Sequence, residues 1–143
     1  MALMERLNLS VLGAGLTAIG FYLWQVVPQV RTLSVDEVAW KWPMATAMLI
    51  FIIIVVASAV QIVITDPDLR EEASVTEDER DRRIEWRADS WGGNTLHLVA
   101  LGALVMLFLG LDKFWIAQLL FLGGMLASLV TVIAKMLAYQ GRV

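Results

Sequence analysis

The sequence contains no cysteine and one histidine, His97. The first absence excludes a disulfide framework, a thiolate nucleophile and a Cys-ligated metal. The second excludes a multi-histidine metal site within one chain. No nucleophile–base pairing, zinc motif or phosphate-cradling glycine loop is present. Gly13 and Gly15 form a Gly-x-Gly, but it lies inside an apolar run, follows no strand and lacks the third glycine. No cofactor is expected, and no enzymatic activity. Charge is also missing where a transporter would need it. No Asp, Glu, Lys or Arg stands near the middle of any long apolar run, which argues against an ion-coupled transporter. Nothing resembles a selectivity filter. A net charge of −3, with the acids concentrated in one segment, gives no footprint for nucleic acid.

Apolar length is what the chain has in abundance. Hydrophobic residues make up 59% of 143, and mean hydropathy is +0.71, too apolar for an ordinary soluble domain. Four runs are each long enough, at ~1.5 Å per helical residue, to cross a ~30 Å hydrocarbon core. The predicted spans are 9–30, 44–65, 92–111 and 114–137. In the first, Pro28 falls in the last turn, and Tyr22 and Trp24 sit where aromatic anchors gather. Pro43 opens the second, as proline suits a first helical position. No small-residue cleavage site follows the first run, so it is expected to be retained. The fold class is therefore all-α: one transmembrane domain over 1–143, a four-helix bundle of two transmembrane hairpins.

The connections differ greatly. Residues 31–42 form a short polar link in which Ser34 and Glu37 fit an S-x-x-E capping box, predicting one or two helical turns or an ordinary loop with belt aromatics. Val38, Trp40 and Trp42 are expected to hold this link at headgroup level. Asp112-Lys113 is a tight polar turn. The segment 66–91 is the one sizeable soluble piece, and residues 66–93 carry ten acids and five bases. Thr76 and Glu79 give a second capping box, and Asp78–Arg82 and Glu79–Arg83 are i,i+4 pairs in the favourable order. Ile84, Ala88 and Trp91 recur as one apolar stripe. A charged juxtamembrane helix is predicted to run from there into the third span, with Gly92-Gly93 as the place for a bend.

Lys and Arg decide orientation. With four spans, Arg6, Arg70, Arg80, Arg82, Arg83, Arg87, Lys135 and Arg142 share one side, and Arg31, Lys41 and Lys113 the other. Eight against three puts both termini and the charged segment in the cytoplasm. Lys135 is far enough from Phe114 to snorkel to that interface.

Small residues permit close helix approach in lipid. Gly123 with Ala127 and Gly124 with Ser128 are four apart in the fourth span; Gly13 with Thr17 and Ala14 with Ala18 are four apart in the first. Packing within the bundle is the ordinary use, and a homo-oligomer or a second membrane protein the alternative. The second span, Ile/Val-rich through its centre, is expected to face lipid. The conspicuous intramembrane polar groups are His97, Gln25, Gln61 and Gln118, read as interhelical hydrogen-bonding groups or, for His97, Gln61 and Gln118, as a polar site. The acids of 77–89 are interleaved with arginines and lack cation-loop spacing, so a solvated helix is the expected reading.

The segment Asp78-Glu79-Arg80-Asp81-Arg82-Arg83-Ile84-Glu85-Trp86-Arg87-Ala88, standing just before the third of four spans, resembles one in small four-span prokaryotic membrane proteins of the DUF2178-like family. The resemblance covers about a dozen residues and the overall layout. It implies a prokaryotic cell (inner) membrane and paired hairpins, and no activity.

Function is expected to lie in interaction: a small non-enzymatic accessory or regulatory integral membrane protein. Its contact surface would be the charged helix, through Glu77, Glu79, Arg80, Arg83, Ile84, Arg87 and Trp91. The alternative is a small oligomeric transporter or channel with His97, Gln61 and Gln118 along its path.

Overall fold

The computed structural model describes residues 3–65 and 79–139. Among them are four long helices and no strand: α1 (Leu3–Thr32), α2 (Lys41–Thr65), α3 (Glu79–Phe108) and α4 (Lys113–Tyr139). All four are long and apolar enough to cross a membrane. The protein is an all-α four-helix bundle of membrane-span-like helices, a multi-pass membrane protein that meets the lipid bilayer directly.

The main packings are α1 with α2, α3 with α4, and α1 with α4. The helices are thus arrayed in the order α2, α1, α4, α3. In the span windows of the inner helices α1 and α4, 28% and 39% of residues are buried, against 6% and 11% in the outer helices α2 and α3. The β-branched centre of α2 explains its peripheral place. Ile52, Ile53 and Val56 are bulky and apolar, as lipid requires, and keep another backbone at a distance.

Small residues set the close approaches. On α1, Ala14, Ala18, Tyr22 and Val26 form one buried stripe at four-residue spacing. A Cβ built on the adjacent Gly15 would meet Leu129 of α4 at 3.1 Å and Phe51 of α2 at 4.0 Å. Between α3 and α4 the register runs through glycines. A Cβ on Gly92 would overlap Thr131 and lie 3.2 Å from the Ala127 carbonyl; one on Gly123 would lie 2.5 Å from Val99; one on Gly102 would lie 3.2 Å from Leu119. Glycine at 92 therefore admits Thr131 and the Ala127 carbonyl, and glycine at 123 makes room for the Val99 side chain.

Gly92-Gly93 does not break α3. The helix is continuous from Glu79 to Phe108, 30 residues. The pair is weak in helix propensity, but Gly92 is wedged against α4, which holds it in line. Its far end closes with a Schellman motif: Leu111 N–H bonds Met106 C=O and Gly110 N–H bonds Leu107 C=O, with Gly110 at φ 68°. The Asp112 carbonyl then accepts from Trp115 and Ile116 N–H, so Asp112 caps α4.

The link between α1 and α2 keeps the single turn that was among its expected forms, but not the cap. It holds one 3-10 turn, Val35–Glu37, and the Ser34 side chain makes no capping bond. Val38 is buried and Trp40 packs edge-on to Phe114, with ring centroids 6.2 Å apart, whereas Trp42 faces outward. The link therefore folds over the end of the bundle. Pro43 is the third residue of α2, still in the first turn where its missing N–H leaves no bond unmade.

Candidate functional site

Polar chemistry gathers at the two ends of the bundle. At the end covered by the α1–α2 link, the core comprises Ala18, Tyr22, Val26, Val38, Ala47, Phe114 and Phe121. Tyr22 is 1% exposed, tilted against Phe121 at 4.8 Å, and its hydroxyl donates to Gln118 Oε1 at 2.5 Å. Gln118 Nε2 is buried and has no hydrogen-bond partner among the described residues. Gln29 secures the link: its Oε1 accepts from Ala39 N–H at 2.9 Å and its Nε2 donates to the Gln25 carbonyl at 3.0 Å. Tyr22 was expected as an interfacial anchor. It is instead the largest fully buried side chain among the described residues, while Trp24, two positions on, is 72% exposed. The signal lay in the spacing, since Tyr22 continues the Ala14–Ala18 stripe.

At the opposite end, where α1 begins and α4 finishes, the first turns of α3 lie along the last turns of α4. Ile84, Ala88 and Trp91 share the face turned toward α4, together with Arg87. With Ala134, Leu137 and Ala138 they line a cavity of about 290 Å³. Ala88 is buried, Ile84 half-buried and Trp91 63% exposed. Lys135 Nζ pairs with Asp89 Oδ1 at 3.1 Å beside this groove. Lys135 thus finds an ion partner on α3. Arg83, Trp86 and Arg87 are exposed. Glu77 and Thr76 lie outside the described residues; Glu79 and Arg80 form the start of α3, and nothing is described of their side chains.

The three intramembrane polar residues stand apart. His97 is exposed on α3, its Nδ1 2.7 Å from the Gly93 carbonyl of its own helix. Gln61 is exposed on α2, ten residues or ~15 Å along the helix from Phe51. Gln118 is half-buried at the other end, bonded to Tyr22. The small residues of α4 divide between two faces. Gly123 and Ala127 are buried against α3, and Gly124 and Ser128 line an apolar groove between α2 and α4 with Phe51, Ile52 and Met125. Among the described residues, no three His, Cys, Asp or Glu side chains come together as a metal site would need.

No protein-family model matches the chain, and no curated protein or solved structure matches it either.

Proposed function

We propose that the chain is a small non-enzymatic accessory or regulatory protein of a prokaryotic inner membrane. It binds a partner through the charged beginning of α3, with both termini and segment 66–91 on the cytoplasmic side. The observation that supports this reading best is the unbroken course of α3. From Glu79 to Phe108 a single helix carries charge at one end and apolar membrane-span character at the other. A partner engaged at Arg83 or Arg87 would therefore be held at a defined height and angle by the bundle. The stripe of Ile84, Ala88 and Trp91 is turned toward α4 with Arg87 at its edge, and Asp89 pairs with Lys135, which leaves Arg83 and Trp86 on the outward surface of those turns. The resemblance of residues 78–88 to DUF2178-like proteins accords with this layout. The open face of α1, where Gly13 and Gly20 have nothing within 4 Å, supports a second membrane helix, from another copy or another protein, beside it.

The test is substitution of Glu77, Glu79, Arg80, Arg83 and Arg87 by Ser in the full chain, followed by mild-detergent capture from the native membrane. Insertion should be unchanged and a co-purifying partner lost. Unchanged capture would refute the reading.

A further inference from the structure

We infer that the groove between the beginning of α3 and the end of α4 is a binding site for one anionic phospholipid, its phosphate on Arg87 and the start of an acyl chain along Ala88, Trp91 and Ala134. Three observations meet there. The first is shape: Ala88 of α3 and Ala134 and Ala138 of α4 are too small to fill the space between the helices, and a cavity of about 290 Å³ remains. Its lining is apolar apart from one residue, Arg87.

The second is charge. Arg87 makes no ion pair or hydrogen bond among the described residues. Its nearest acids on α3, Glu85 and Asp89, are each two positions away and so turned from it. Asp89 is engaged by Lys135. Arg83, one turn earlier on the same side, adds positive charge. A planar guanidinium presents paired donors that match phosphate oxygens.

The third is depth. Arg87 stands 21 residues before Phe108, ~32 Å of helix rise, which is the thickness of a hydrocarbon core. With the Phe108 end at one boundary, Arg87 lies at the headgroup level of the other; Ala88, Trp91 and Ala134 line the groove on its acyl side, and Ile84 and Ala138 on its outer side. An amphiphile with an anionic head fits that order of charge and apolar surface. A zwitterionic lipid would bring a cation beside Arg87.

The inference shares Arg87 with the partner reading but is tested apart from it, on purified protein and lipid alone. The probes are phosphatidylglycerol and phosphatidylcholine with identical acyl chains, titrated onto the delipidated full chain and followed by native mass spectrometry. The wild type should retain one phosphatidylglycerol about fivefold more tightly than phosphatidylcholine, as one unscreened arginine near the surface would give. Arg87→Gln should abolish that preference, Arg87→Lys should keep part of it, and Arg31→Gln at the opposite end should leave it intact. Ala138→Phe, which fills the groove, should reduce retention of both lipids. Circular dichroism on each variant separates loss of lipid from loss of fold. Equal retention of the two lipids by the wild type, or an undiminished preference in folded Arg87→Gln, would overturn the assignment. Lipid retention by a folded Ala138→Phe equal to wild type would do the same for the groove.

Discussion

The Tyr22 hydroxyl donates to Gln118 Oε1 across the α1–α4 interface, and the two residues are 96 positions apart in the chain. This bond joins the first hairpin to the second. Interhelical hydrogen bonds in membranes contribute about 0.6 kcal/mol on average, but a polar group left buried without a partner is more costly. Tyr22→Phe should therefore destabilise the protein by roughly 1–2 kcal/mol. Tyr22→Phe with Gln118→Leu should be less damaging than Tyr22→Phe alone, since both polar ends are removed. Reversible unfolding in mixed micelles measures each.

The two glycines of the 92–93 pair should respond in opposite ways. Gly92→Ala drives a methyl into Thr131 and toward the Ala127 carbonyl, so a loss of about 1–3 kcal/mol is expected. Gly93→Ala meets open space and improves helix propensity, so stability should rise by up to ~1 kcal/mol. Thr131→Ala should recover part of the Gly92→Ala loss. Unfolding midpoints of these variants and the wild type check the order.

The adjacent glycines of α4 form a second contrast. Gly123→Ala meets Val99 and should destabilise by about 1–3 kcal/mol, whereas Gly124→Ala, with nothing within 4 Å, should stay within about 0.5 kcal/mol of wild type. Val99→Ala in the Gly123→Ala background should restore much of the loss. If both single variants behave alike, the α3–α4 register is wrong.

Gly110 holds φ 68° in the Schellman turn. Gly110→Ala should lower stability by about 1–2 kcal/mol through backbone strain, and Gly110→Asn by less, because asparagine tolerates the left-handed region better. The same unfolding assay reads both.

The number and character of the spans were legible in the sequence because an apolar run of about 20 residues has few other uses. The outward place of α2 was legible too, from its Ile/Val centre. Order among the helices was not, since Gly123 and Gly124 look alike in sequence and only the rotation of α4 assigns one to α3 and the other to the α2 side. The straightness of α3 was equally hidden. Gly92-Gly93 is a hinge signal by propensity, and the contact that removes the hinge comes from Thr131, some forty residues later. Tyr22 was misread because interfacial position and burial give the same local pattern. The groove beside Arg87 depended on Ala134 and Ala138, which carry no signal until α4 is laid against α3.

The most direct test of the central claim, that α3 is one rigid helix joining the charged segment to the membrane span, uses the absence of native cysteine. Spin labels at Trp86→Cys and Leu104→Cys, both exposed positions on α3, are 18 residues apart. In lipid nanodiscs, pulsed electron resonance should give a narrow distance distribution centred at about 27 Å. A broad distribution, or one displaced well below that distance, would mean that the helix bends at Gly92-Gly93 and would contradict the claim.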